Sequence, residues 1–280
     1  MLKKAVSMIL AVSLLIFAFS AAAEGGLFSK FMETEYEDER LERLDEVADV
    51  LSLSRTEGGV TVEVCQAFYE GDRVFIAYRA DSRILEQDGL ELEDGTYADI
   101  VAGGSLEQDG GVIGWKECVI PEEGVAESQT FCLVYRIPGS DEKQALKFTL
   151  KQHPADRYLM GSSAGEGYTA WTMLSLGAVD TKGQVLLTSP EQAAGWLAWQ
   201  EGLEGIGTDV IACWNLYRNG ELVSYDLDGS SEVLSDGVGF FTMYPYIEDM
   251  EGLTLVPEYS EAGEKPEEAI VLETVPTAEE

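Results

Sequence analysis

Residues Gly59–Ala80, GVTVEVCQAFYEGDRVFIAYRA, alternate apolar and polar side chains on both sides of a short turn. Val60, Val62 and Val64 alternate with Thr61, Glu63 and Cys65; beyond Glu70-Gly71-Asp72, Val74, Ile76 and Tyr78 alternate with Phe75, Ala77 and Arg79. Successive side chains of a strand point to opposite faces, so the stretch predicts an antiparallel hairpin with one face in a core. Further strand-like runs follow near 84–93, 96–102, 112–120, 130–137 and 145–152, separated by Gly-rich or Asp-Gly turns. Seven short strands in about 95 residues is the count and spacing of an immunoglobulin-like sandwich. Residues 53–153 are therefore expected to form an all-β domain.

Upstream, the period changes. Leu41, Leu44, Ala48 and Leu51 recur at steps of three and four in a charged run, which predicts one amphipathic helix over roughly 35–51. It belongs to an acidic leader, residues 24–52, packed on the first domain or loosely tethered to it. Before the leader, Lys3 and Lys4 precede an apolar run from Ala5 to Phe19 and the small residues Ser20-Ala21-Ala22-Ala23. A basic head, an apolar core and small residues at the cleavage positions are what a secretory signal peptide requires. As a helix the apolar core would reach only about 22 Å, against ~30 Å of bilayer hydrocarbon, so cleavage after Ala23 is favoured over a retained anchor. The mature protein is expected outside the cytoplasm, secreted or associated with the cell envelope.

Asp and Glu outnumber Lys and Arg 52 to 18, a formal net charge of −34; without residues 1–23, which hold two lysines and no acid, the balance is 52 to 16, or −36. A field of that sign repels phosphate backbones and anionic headgroups, which argues against nucleic acid and, once the signal is removed, against membrane surfaces as partners. A protein or glycan partner remains open. The charge also serves solubility. About 257 mature residues suit two domains, and the chain's 45% apolar content is enough for real cores.

His153-Pro154 closes the first series of strands, and the small residues around Gly161-Ser162-Ser163-Ala164-Gly165 read as a linker over 154–167. A second β-sandwich domain is expected over 168–275, followed by a disordered tail, 276–280. Within it, Ser189-Pro190-Glu191 is a helix start with its N-cap and first-turn proline, and Gly195 and Gly202 keep that helix short. Ala212, Trp214 and Leu216 alternate into Asn219-Gly220, a pair suited to the positive φ angles of a type I′ hairpin turn. Trp214 and Leu216 should then face the core, with Cys213 and Asn215 on the other side.

Chemistry-bearing patterns are incomplete. Gly161–Gly165 matches the GxSxG string of a nucleophile elbow, but the chain's one histidine, His153, precedes it and no helix signal follows. Ser140-Asp141-Glu142-Lys143 fits SxxK without the accompanying elements, beside a Pro138-Gly139 turn. In Asp226-Leu227-Asp228-Gly229 the glycine comes one step too early for a calcium loop, and a solvated turn explains the same residues. With 52 acids, no glycosidase pair can be nominated. Cys65, Cys118, Cys132 and Cys213 form no CxxC, so zinc lacks a ligand set and no cofactor is expected. Runs on either side of Pro121-Glu122-Glu123-Gly124 would bring Cys118 and Cys132 face to face if they formed a hairpin, a candidate disulfide. Of the five tryptophans, Trp115, Trp171 and Trp214 sit in strand patterns where burial is expected. Trp196 and Trp199, three apart on a short helix, are the candidate aromatic platform for a ligand.

Leu51–Ala80, LSLSRTEGGVTVEVCQAFYEGDRVFIAYRA, resembles the opening of an extracellular domain of unknown function of Gram-positive bacteria, in which a polar lead-in ends in Gly-Val or Gly-Ile before two strands around an Asp-containing turn. The run from Trp214 to Leu272, with GLTLVPEY and EAIVLE, resembles its companion domain. In many such proteins the ectodomain follows a membrane segment, sometimes of an anti-sigma-factor-like protein; here a cleavable signal stands in that place. The resemblance implies an immunoglobulin-like extracellular module and carries over no catalytic residues. The expectation is an all-β protein of two tandem immunoglobulin-like or related sandwiches. It would be secreted and non-enzymatic, acting in binding, sensing or envelope-associated interaction, with a carbohydrate-binding module as the alternative.

Overall fold

The computed structural model of the protein describes residues 26–31, 39–108, 110–121, 124–153, 155, 157–165, 167–201, 209–224 and 228–275. The expected signal peptide, 1–23, and tail, 276–280, lie outside them. The chain divides into two compact units, Met1–His153 and Pro154–Glu280.

The first unit opens with α1 (Glu39–Val47) and continues through β1 (Asp49–Glu57), β2 (Val60–Glu70), β3 (Arg73–Ala80), β4 (Leu85–Leu92), β5 (Tyr97–Gln108), β6 (Gly111–Val119), β7 (Ser128–Arg136) and β8 (Lys143–Lys151). The seven strands read from the sequence are β2 to β8. Their order, β1-β2-β3-β6-β5-β4-β7-β8 and antiparallel throughout, contains β2-β3-β6-β5 and β4-β7-β8. Lettered in chain order these are the A-B-E-D and C-F-G sheets of an immunoglobulin constant-type sandwich. Pairing of Leu90 with Ala98 and Glu91 with Tyr97 joins the two sheets along one side, and β1 adds a strand beyond β2. Val62, Val64, Val74, Ile76, Tyr78 and Phe131 belong to the core between the layers.

A bulge at Cys65 shifts the register of β2 against β3, so the inward residues pass from Val62 and Val64 to Ala67 and Tyr69. Gln66 and Phe68 turn to the outer face, where Phe75, Ala77, Trp115 and Glu117 also lie. That face is covered. Phe28, Phe31, Leu41 and Leu44 of the leader are buried, Gln66 Oε1 accepts the Leu27 amide at 2.8 Å, and Glu117 takes Arg40 at 3.2 Å and Arg73. Asp45 accepts the amides of Phe28 and Ser29 at 3.0 and 2.8 Å, fixing the segment ahead of α1. The leader is thus part of the first unit. Its helix is shorter than expected: from Asp49 the backbone pairs with β2, Asp49 against Ala67 and Val50 against Gln66, because Leu51 packs on the sandwich core and continues no helical face.

The second unit comprises β9 (Arg157–Gly165), β10 (Tyr168–Leu176), β11 (Asp180–Thr188), α2 (Pro190–Gln200), β12 (Ile211–Arg218), β13 (Glu221–Ser224), β14 (Asp228–Val233), β15 (Gly237–Pro245), β16 (Leu253–Tyr259) and the short β17 (Gly263–Glu264), β18 (Ile270–Val271) and β19 (Glu273–Thr274). One sheet has the order β14-β15-β11-β10-β9-β19 and the other β13-β12-β16-β17, with β18 on β16. This is a β-sandwich built on a β9-β10-β11 meander, a different order from the first unit's. Its core draws Leu174, Val185 and Phe240 from one sheet and Trp214, Leu216 and Leu255 from the other. Asn219 and Gly220 have φ of 51° and 85° between β12 and β13, the expected hairpin turn, and Ser189 caps α2 by accepting the Gln192 amide at 3.2 Å.

The expected linker is mostly strand. Arg157–Gly165 pairs with β10 from Leu176 back to Tyr168, and Gly167, at φ 80°, sits in the tight connection. The small residues that suggested flexibility answer to packing: a Cβ at Gly161 would run into Ile270 and the Val271 carbonyl, and one at Gly165 into the Tyr168 ring. The segment read as a solvated turn near Asp228 likewise enters β14, paired with β15 from Asp228 to Val233.

Candidate functional site

Along β10, Tyr168, Ala170, Thr172, Leu174 and Leu176 are buried and the residues between them face out. Trp171 is on the outer side, 37% exposed, which corrects its expected burial. Residues paired directly across antiparallel strands share a face. The register therefore sets one row across the sheet, Ser162, Trp171, Leu186, Gly239 and Glu232, and beside it a second, Met160, Met173, Gln184, Phe241 and Ser230. Phe241 is 42% exposed. A Cβ built on Gly239 would lie 3.6 Å from the Phe241 ring and 3.7 Å from a Leu186 methyl, so both side chains lean towards this glycine. The result is an exposed apolar stripe from Trp171 through Leu186 to Phe241.

Around Trp171 the face opens into a groove of about 630 Å³, to which Ser162, Ala164, Thr169, Leu186 and Thr188 contribute. Its lining is indole, methyl and hydroxyl groups with no titratable side chain. Such a lining suits recognition by stacking and hydrogen bonding.

The sequence-nominated platform is not formed. Trp196 is buried: its Nε1 donates to the Ile211 carbonyl at 2.8 Å and its ring meets Phe240 edge-on at 5.7 Å. Trp199 is 52% exposed and stands perpendicular to Trp196 at 4.8 Å, so the two present no common plane. The disulfide is not formed either. Cys118 faces the first core and Cys132 does not, and β5 and β4 lie between their strands; Cys118 pairs with Val74 and Ile100, Cys132 with Glu91 and Lys147. All four cysteines are free thiols. Burial pushes Cys118 and Cys65 up to about 12, with the Glu63 carboxylate adding to the effect at Cys65.

Ser163 of the GxSxG string lies within β9, on no strand-to-helix turn, while His153 stacks on Phe68 in the first unit at 4.8 Å. Opposite the groove, Tyr168 and Tyr259 both donate to Glu268 Oε2, at 2.7 and 2.6 Å, and Lys265 Nζ lies 3.6 Å from the centroid of the Tyr259 ring. Burial and then the bond to Glu268 raise both phenols above their ordinary range, which marks them as neutral donors in a structural network. Among the described residues, no group of three or more His, Cys, Asp or Glu is placed to hold a metal ion, and no helix is long and apolar enough to cross a membrane.

No protein-family model matches the chain, and no curated protein matches it in sequence. Among solved structures it is similar to a conserved domain protein from Bacillus anthracis, at 14% identity over 89% of this chain and 93% of that one, with a TM-score of 0.46. It is also similar to the Ig1–Ig3 ectodomain of mouse nectin-like molecule 4, at 13% identity over 76% and 62%, TM-score 0.24. The N-terminal periplasmic domain of ScsB from Proteus mirabilis matches at 9% identity over 81% and 98%, TM-score 0.18. At these identities, and with TM-scores under 0.5, the immunoglobulin-like reading of the first unit stands on its own strand order.

Proposed function

We propose that the protein is an exported, non-enzymatic binding module of the cell envelope or its surroundings, whose ligand-contacting surface is the outer face of β10, β11 and β15. The observation that carries this is the stripe of exposed Trp171 and Phe241 with half-buried Leu186 between them, beside a groove lined without a titratable side chain. Large aromatic side chains left in water on a flat strand face lose burial energy that the fold could have recovered by placing them inward. A binding role accounts for that loss. The signal-like segment 1–23 and the resemblance of Leu51–Ala80 to an extracellular domain of Gram-positive bacteria support a place outside the cytoplasm. Export is tested by N-terminal sequencing of the protein recovered from the culture medium or envelope, which should begin at Glu24. The absence of catalysis is tested by a screen on esters, peptides, β-lactams and glycans. Turnover abolished by one point substitution would overturn the reading.

A further inference from the structure

On the outer face of β10, β11 and β15, Trp171 and Phe241 each have a serine as cross-strand neighbour: Ser162 beside Trp171 and Ser230 beside Phe241. The half-buried Gln184 lies between Met173 and Phe241 in the second row, and Glu232 closes the first. The stripe crosses β10, β11 and β15, two strand spacings or about 10 Å, which is longer than a single pyranose ring. Apolar faces at both ends, with uncharged hydrogen-bonding groups set among them, constrain what can lie there. A lipid chain or apolar peptide side chains would cover Ser162, Gln184 and Ser230 without supplying partners, and a covered polar group without a partner is costly. An anionic ligand would meet Glu232 and a chain of net charge −34.

Taking the binding reading above as its basis, we propose that this face holds an extended, uncharged oligosaccharide, with one sugar ring on Trp171 and another on Phe241. The C–H faces of the rings lie on the aromatics, Leu186 fills the span between them, and the sugar hydroxyls exchange hydrogen bonds with Ser162, Gln184 and Ser230.

The test is calorimetric titration of the full chain with neutral oligomers of glucose, mannose and N-acetylglucosamine, one to six rings long, alongside oligogalacturonate and an apolar peptide. At least one neutral series should bind, with affinity rising roughly tenfold or more from one ring to about three and then levelling. Trp171→Ala should weaken every length, whereas Phe241→Ser should remove the gain with length and leave the single ring as it was. Leu186→Glu keeps both aromatics and should abolish the gain as well, which separates lost contact from lost folding. Circular dichroism of each variant should match the parent. If no neutral oligomer binds at millimolar concentration, or if binding ignores all three substitutions, the saccharide site is wrong. If the peptide or oligogalacturonate binds instead, and Trp171→Ala removes it, the binding reading survives and the ligand class alone falls.

Discussion

Each unit carries an aromatic-bearing sheet face turned away from its sandwich core, and the two faces have opposite fates. In the first unit Trp115 lies on that face and is 4% exposed, because Phe31 approaches it at 6.4 Å and Phe28, Leu41 and Leu44 extend the cover. In the second unit Trp171 and Phe241 occupy the equivalent side of their sheet and stay 37% and 42% exposed. The first face is a second, smaller core, made possible by leader residues 26–31 and 39–47 and tied down at Gln66 and Glu117. The second has the same kind of side chain, and among the described residues no such segment covers it. An apolar sheet face can be sealed by the chain's own segment or left to bind a partner, and the proposed function assigns the second face to binding.

The largest effect should come from the second unit's own core, onto which its bare face backs. Trp214 is 1% exposed between the sheets of the second unit, and Trp214→Ala should cost about 3–5 kcal/mol there. Calorimetric unfolding should show the second unit's transition moving down steeply while the first unit's stays in place. A joint shift of both transitions would mean that the units unfold as one body, and the contrast between their faces would lose its thermodynamic meaning.

Next in size is the cover itself. Leu44, on the leader's helix, is fully buried, and Leu44→Ala should cost about 2–5 kcal/mol, read in the first unit's transition alone. The loosened leader should also expose Phe75 and Trp115, raising the binding of an apolar dye. If stability changed by less than about 0.5 kcal/mol, the leader would be a passenger.

Alkali distinguishes the units by a smaller margin. The folded state raises Cys65 and Cys118, both in the first unit, from the ordinary thiol value of 9.0 to about 12. Between those values the unfolded chain has lost protons that the native one retains, so stability is whole below pH 9 and declines as pH rises towards 12. At pH 10 the loss should be roughly 1 kcal/mol per thiol. In the second unit the phenols Tyr168 and Tyr259, whose ordinary value is 10.0, are likewise raised, so what they contribute begins to decline about one pH unit later. Denaturant melts at pH 8, 9, 10 and 11 should show the first unit weakening first; the reverse order would place those thiols in water.

Much of this architecture was legible from local chemistry. The period-two runs located β2 to β8, Ser189-Pro190 located α2, and Asn219-Gly220 located a turn that only positive φ satisfies. What stayed hidden was non-local. The strand β9 has almost no apolar periodicity, since Gly161 is small for the sake of Ile270 and Val271 more than a hundred residues on and Gly165 for the Tyr168 ring, so its sequence resembles a linker. The disulfide between Cys118 and Cys132 followed from treating neighbours in sequence as neighbours in the sheet, whereas the immunoglobulin order inserts two strands between them. Trp171 was different, because its signal was present: Ala170, Leu174 and Leu176 share one parity, Thr169 and Ser175 the other, and Trp171 falls with the polar set. A general expectation that tryptophan is buried overrode that alternation.

The smallest effect on stability is the one on which the comparison rests. Trp115→Ala removes a ring enclosed by the leader and should cost about 3 kcal/mol or more. Trp171→Ala removes a ring whose contacts are its cross-strand neighbours Leu186 and Ser162 and the adjacent Met173, and such pairs contribute about 0.2–1 kcal/mol each. Its melting temperature should therefore fall by only a few degrees, since ~1 kcal/mol shifts a domain of this size by about 2–8 °C. The same substitution should nevertheless weaken binding to the outer face at every ligand length. A side chain that matters little to folding and decisively to ligand is one the fold has left free for recognition. Should Trp171→Ala instead destabilise the second unit as strongly as Trp115→Ala destabilises the first, the ring would be structural, and the bare face would be a covered one whose cover had been overlooked.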